Sequence, residues 1–373
     1  MNASSSSPTF DDVDIEDYNK AVISISVVEP LVCVLGMFGN ALGLLALSSR
    51  QLKGPSYVFL RSLMVVDFTV LLIILVTDTM WHLQLPTYAY SFFYAHVEQP
   101  AFNAFMSTSN YLTVALSIER FMAVCRPVRY SAAKQAVFQA KIFIVVVFAI
   151  SALVSAPYGL EYVVVVVGAG NDTNATADVR YDLRANELLR SGAYATWWTA
   201  YVWLQSALSR IVPFFLLLGL NGSTFYAFHK KMRWRDAWNR QTEMTSSDKK
   251  RMKVTDTKNR RLMGLLVCTV AVFFVCMTPA LVMMFITKET NRWLLTIKLT
   301  NLLEVISFAA NFYVYCLASR FFRDSLVAAF LCRKEATTAS AYTAAAPSGT
   351  QNIQLLETKQ TVNNASTCQT NGQ

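Results

Sequence analysis

A chain of 373 residues in which 54% of side chains are hydrophobic, with a mean hydropathy of +0.35, is too apolar for an ordinary water-soluble domain. Its formal charge of +9 is concentrated in short segments between apolar runs, which marks membrane topology and not a nucleic-acid surface. The three histidines, His82, His96 and His229, lie on separate segments without metal-ligand spacing, and no phosphate loop or nucleophile elbow occurs, so no enzyme chemistry is indicated.

Residues 1–21, rich in Ser and Asp, read as a disordered segment outside the cell. Seven apolar runs follow, over 22–48, 57–80, 98–125, 139–163, 199–228, 259–287 and 293–317. Each is long enough to cross a hydrocarbon core of roughly 30 Å as a helix. Residues 22–318 are therefore predicted to form an all-α, seven-helix membrane bundle. No cleavable leader precedes the first run, which is expected to act as its own signal. Lys and Arg stay cytoplasmic, and the fifth-to-sixth connection holds Lys230, Lys231, Arg233, Arg235, Arg240, Lys249, Lys250, Arg251, Lys253, Lys258, Arg260 and Arg261. The acidic run Asp11, Asp12, Asp14, Glu16 and Asp17 agrees in placing the amino end outside.

After the fourth run, five valines, a Gly-Asn turn and Val179-Arg180-Tyr181 predict a β-hairpin. The alternative is a fourth helix continuing through the valines. Sequons at Asn2, Asn171 and Asn174 fall on the predicted outside and are candidate glycosylation sites. No cysteine falls in a predicted external loop, so no external disulfide framework is available. Residues 319–332 alternate basic and apolar at helical spacing, as in a helix lying in the membrane interface, and Cys332 is a candidate palmitoylation site. Residues 333–373, rich in Thr, Ser, Ala and Asn, read as a disordered cytoplasmic tail. At the end of the third run stand Glu119 and Arg120, either a snorkelling cation beside an acid or a pair held for function.

With these residues in view, the chain resembles the rhodopsin-like G-protein-coupled receptors over residues 22–332. The landmarks are Gly39-Asn40, Leu63-Met64-Val65-Val66-Asp67, Glu119-Arg120-Phe121, Pro157, Pro213, Phe273 with Cys276-Met277-Thr278-Pro279, and Asn311-Phe312-Tyr313-Val314-Tyr315. Finer likeness, in Lys53-Gly54-Pro55-Ser56-Tyr57 and Tyr111–Arg120, is to invertebrate FMRFamide-type neuropeptide receptors. The sequence departs from the family at Ala95, where a disulfide cysteine is usual, and at Val147, Met277, Asn221, Phe312 and Asn259.

The resemblance implies a plasma-membrane receptor with an extracellular ligand, heterotrimeric G proteins, arrestin, receptor kinases and membrane lipid as partners, and no nucleic acid. It implies an allosteric sodium ion at Asp67, Ser109, Ser307 and Asn311, no other cofactor, and no catalytic residue. It makes Glu119, Arg120, Phe273, Pro279, Asn311 and Tyr315 the coupling and switch residues. Phe102 stands where an amine receptor carries a carboxylate, which argues against a biogenic amine. Asp78, Trp81, Glu98, Phe102, Met106, Gln205, Met277, Met284 and Glu304 are candidate ligand contacts. Acids among aromatic and thioether side chains suit a peptide with a basic or amidated end. Glu304, an acid in an apolar helix, is a functional candidate or else has an internal partner. Arg210 either pairs with one of these acids or meets an acidic ligand group. The competing readings are a divergent chemosensory or small-molecule receptor and, from a different class, a transporter. A transporter would show internal repeats, and none is seen.

Overall fold

The computed structural model describes residues 10–48, 54–83, 87–125, 133–167, 180–241, 246–286, 294–318, 322–323 and 326–327. Within these, the side chains of 10–24, 81–82, 123–125, 133–134, 180, 235–241, 246–263, 265–266, 294 and 318 stand outside the description. The elements in chain order are α1 (Phe10–Leu47), α2 (Pro55–His82), α3 (Tyr88–Phe93), α4 (Gln99–Cys125), α5 (Ala133–Ser155), β1 (Tyr162–Val167), β2 (Arg180–Ala185), α6 (Glu187–Arg190), α7 (Gly192–Ser206), α8 (Val212–Gln241), α9 (Ser246–Ile286) and α10 (Leu294–Ala318). π-helical turns at Tyr94–Glu98 and Ala207–Ile211 join α3 to α4 and α7 to α8. Apart from the one-turn α6, the described helices therefore make seven units: α1, α2, α3–α4, α5, α7–α8, α9 and α10.

Five stretches are long and apolar enough to cross a membrane on composition alone: Ile25–Leu47, Pro55–Met80, Gln135–Leu160, Gly192–Trp234 and Val267–Ile286. The other two units have polar residues that face the interior instead of lipid. On α4, Asn103, Ser107, Thr108, Ser109 and Asn110 are all buried, as are Thr300, Glu304 and Ser307 on α10. Burial between helices lets such groups hydrogen-bond in a solvent that offers no partners. Large apolar side chains show the inverse pattern, with Leu153, Trp197, Val275 and Leu317 pointing outward.

Helix α1 packs on α2 and α10, α2 on α4, α4 on α5 and α8, and α9 on α10. The main core lies between α1, α2, α4 and α10 and contains Leu63, Met64, Leu71, Met106, Phe308 and Phe312. Small residues allow the α1–α10 approach. A Cβ on Gly36 would stand 2.6 Å from the Ala309 Cβ and 2.9 Å from its Cα. A second, smaller cluster of Val114, Leu217, Phe273 and Met277 joins α4, α8 and α9.

Several boundaries differ from the sequence reading. Helix α1 starts at Phe10, where chain without regular structure was expected through 21. Units five and six extend beyond the apolar runs into basic chain, to Gln241 and back to Ser246, because straight-chain polar residues sustain a helix once it leaves lipid. The fourth helix stops at Ser155 and tightens into a 3₁₀ turn over Ala156–Leu160 containing Pro157, so the valines leave the helix. They form β1, which pairs antiparallel with β2 in the register Tyr162↔Ala185 to Val167↔Arg180. Of the interfacial segment 319–332, only the helical pairs 322–323 and 326–327 are described.

Candidate functional site

The hairpin end of the bundle is roofed without a disulfide. Ala95 is fully buried between Tyr94 and His96, and those two flanking side chains reach the chain after the fourth helix. His96 Nδ1 donates to the Gly159 carbonyl at 2.6 Å, since a carbonyl has no proton to give. The Tyr94 and Tyr162 rings meet edge-on at 6.2 Å between centroids, and Tyr88 and Tyr181 at 5.5 Å. Asn186 closes the far strand, its Nδ2 donating to the Leu160 carbonyl at 3.0 Å and its backbone N–H to Glu161 at 2.8 Å.

Below the roof, Pro213 shapes the fifth unit. It has no N–H for the Ser209 carbonyl four residues earlier, and Asn110 Nδ2 of α4 donates there instead at 2.9 Å. The Tyr111 hydroxyl donates to the neighbouring Leu208 carbonyl at 2.8 Å. The π turn that accompanies these bonds carries Arg210. Its Nη2 lies 3.4 Å from Glu304 Oε2 and 3.5 Å from the Met106 sulfur, and its Nε lies 3.4 Å from Glu304 Oε1. The Nε contact is a charge contact without hydrogen-bond alignment. Arg210 therefore pairs with an acid of the chain itself, and Glu304 has the internal partner that the sequence left open. A turn earlier, Gln205 Oε1 accepts from the Tyr158 hydroxyl at 3.1 Å, while its buried Nε2 has no hydrogen-bond partner among the described residues.

The nine candidate ligand contacts do not form one cluster. Glu304 and Met106 meet at Arg210, and Gln205 lies on the same unit. Phe102 is half-buried against the main core, Met277 packs with Phe273, and Met284 is half-buried on α9. Asp78 and Glu98 belong to a second acidic group. Glu98 is hydrogen-bonded by Thr77, and Asp78 stands within electrostatic reach of both Glu98 and the buried Glu29 of α1. Glu29 was absent from the sequence reading, although the criterion that selected Glu304, an acid in an apolar helix, applies to it equally. The Trp81 side chain lies outside the described residues.

Deeper in the bundle, Asp67 is fully buried. The Ser109 hydroxyl donates to its Oδ1 at 2.5 Å and Asn311 Nδ2 to its Oδ2 at 2.6 Å. A cavity of about 10 Å³, room for about one water-sized body, is lined by Ser109, Ser307 and Asn311. Nearby, Asn40 Nδ2 donates to the Phe308 carbonyl at 3.3 Å, and its buried Oδ1 has no hydrogen-bond partner among the described residues. Both Asp67 carboxylate oxygens are thus satisfied by side-chain donors of neighbouring helices, and Ser307 lines the cavity beside Ser109 and Asn311.

At the opposite end, Glu119 is buried and its Oε2 lies 3.9 Å from Arg120 Nε. The Tyr315 hydroxyl is buried, hydrogen-bonds Thr269 of α9 and sits within reach of the Arg120 charge. Asn221 Nδ2 donates to the Ser117 hydroxyl at 3.3 Å and the Leu217 carbonyl at 2.7 Å. Pro279 lies inside α9, two residues beyond Met277. Asn2, Asn171, Asn174, Cys332 and the Asn259 side chain lie outside the described residues.

The family model described as 7 transmembrane receptor (rhodopsin family) matches residues 39–318. A probable G-protein coupled receptor of Caenorhabditis elegans is 29% identical over 329 residues, covering 84% of this chain and 70% of the relative. A FMRFamide receptor of Drosophila melanogaster is 24% identical over 323 residues, covering 82% of this chain and 53% of the relative. Sex peptide receptor-related protein 2 of Caenorhabditis elegans is 21% identical, covering 82% and 71%.

Proposed function

Because this chain belongs to the rhodopsin family of seven-transmembrane receptors, we propose that its extracellular ligand is an amidated neuropeptide carrying a basic side chain. The chain is a multi-pass G-protein-coupled receptor and not an enzyme. The observation that carries the ligand reading is Glu304, a buried carboxylate on α10 whose present partner is a cation held at 3.4 Å. Charge-assisted contacts of this kind close to about 2.7–2.9 Å when well made, so a ligand guanidinium has a gain to realise there. Met106, Met277 and Met284 supply adaptable apolar contacts for neighbouring side chains. The likeness to a FMRFamide receptor points to the same ligand class.

The hairpin end faces outward in this reading, in keeping with the basic fifth-to-sixth connection inside. Ligand contact beneath the roof shifts α9 about Pro279, and the Arg120–Tyr315 region opens to the G protein. Asp67, Ser109, Ser307 and Asn311 would hold a sodium ion, whose charge would favour the resting bundle. Plasma-membrane residence, Cys332 palmitoylation, glycosylation at Asn2, Asn171 and Asn174, and tail recognition by receptor kinases and arrestin belong to the same proposal.

A second-messenger screen of the surface-expressed receptor against invertebrate amidated peptides tests the ligand class. Silence across the library, with the receptor at the surface, overturns it. For any hit, Glu304→Gln is expected to cut potency roughly 10- to 100-fold, the equivalent of about 1.5–3 kcal/mol for a hydrogen bond to a charged group. Unchanged potency removes Glu304 from the site.

A further inference from the structure

Arg210 and Glu304 join the fifth unit to the seventh across the interior. Glu304 is buried, Arg210 is 28% exposed, and both reach each other beside the buried Met106 of the third unit. The pair has no redundancy on the acid side, since among the described residues Arg210 is the one cation in an ion pair with Glu304. Both guanidinium-to-carboxylate distances are 3.4 Å, longer than a closed bidentate pair, so the contact is strong enough to bias geometry and loose enough to exchange. Arg210 sits on a π turn, the one stretch of the fifth unit whose backbone register is already shifted. Tyr158 lies within electrostatic reach of Arg210, so a displaced guanidinium has a polar neighbour to turn to.

Taken together these features make Arg210 a built-in stand-in for the ligand's basic group. We propose that Arg210–Glu304 is a resting-state lock: the chain's own cation occupies the Glu304 subsite, ties α10 to the fifth unit, and leaves when a ligand cation takes its place. The lock rests on the reading of Glu304 as the ligand's acceptor only for what opens it; its effect on the empty receptor stands apart from any ligand.

The test measures ligand-free second-messenger output in cells at matched surface amounts. Arg210→Met and Glu304→Gln are each expected to raise it at least threefold. The doubly neutral Arg210→Met/Glu304→Gln variant, which buries no lone charge, is expected to give the same rise and keeps the test decisive if a single variant fails to reach the surface. The reversed pair Arg210→Glu/Glu304→Arg is expected to return output toward wild type. Wild-type output from the doubly neutral variant overturns the lock, whatever the peptide screen gives. A second arm applies the peptide Phe-Met-Arg-Phe-amide and its analogue with citrulline, a neutral isostere, in place of arginine. A tenfold or larger preference for arginine that vanishes in Glu304→Gln supports exchange at this acid. Equal potency of the two on wild type overturns exchange. If neither peptide acts, the amidated-peptide reading loses support while the ligand-free arm still decides the lock.

Discussion

Single residues in this bundle are bound by what hydrocarbon denies them. Pro213 deprives the Ser209 carbonyl of its helical donor, and inside a membrane that oxygen finds relief only in another side chain, here Asn110. Asn110→Ala is expected to lower the stability of the purified receptor by about 1–2 kcal/mol, near the upper end for interhelical hydrogen bonds, because the orphaned carbonyl stays buried. Thermal unfolding in detergent measures it, and an unchanged midpoint rejects the account. Gly36 is constrained by space instead. A leucine there would collide with Ala309, backbone included, so Gly36→Leu is expected to abolish surface delivery, read by antibody on unpermeabilised cells. The proline was visible in the sequence as a helix-modifying residue, whereas the side chain that satisfies the freed Ser209 carbonyl, 99 positions from it, was not.

At the scale of elements, the hairpin shows how a roof is held when a disulfide is absent. Its anchors are the hydrogen bond from His96, the tyrosine pairs and the Asn186 bridge, none of them redox-sensitive. Ligand response is therefore expected to survive millimolar dithiothreitol at unchanged potency, and a marked loss would show that a covalent tie was missed. His96→Ala, by contrast, is expected to speed hydrogen exchange across β1. At the base of the same hairpin, burial raises the Glu161 carboxyl above its ordinary value, with Arg190 opposing. An acid with a raised folded-state pKa favours folding while protonated and loses that contribution as pH rises from the ordinary value of 4.5 through the raised one. Protection of β1 is thus expected to weaken over that pH rise in the wild type and to stay level in Glu161→Gln. The hairpin itself was legible from its run of β-branched residues. The end of the helix before it was not, because valines at the end of an apolar helix satisfy both patterns until pairing with β2 decides between them.

Across the whole molecule, interior polar groups follow one another from the roof to the opposite end: Arg210 with Glu304, then Asp67 with Ser109 and Asn311, then Tyr315 with Thr269 near Arg120. Each group links different helices, so the proposed coupling between the two ends has a route of interior polar contacts to follow. Sodium is expected to reduce agonist affinity, and by reciprocity agonist reduces sodium affinity. Asp67→Asn is expected to abolish the effect, as read by agonist binding with sodium exchanged for N-methylglucamine. A sodium effect that persists in Asp67→Asn moves the ion elsewhere.

The sequence by itself determined the class. Seven apolar runs, basic connections and one landmark per helix sufficed, because a membrane accepts few architectures and apolar length is written locally. Only the tertiary structure decided the partners of the charges. Arg210 belongs to Glu304, and Asp78 and Glu98 gather with Glu29 and not around Glu304, because a π turn, a proline and the rotation of each helix set which face looks inward. Those rotations arise from packing between helices distant in sequence, and periodicity within one helix does not encode them.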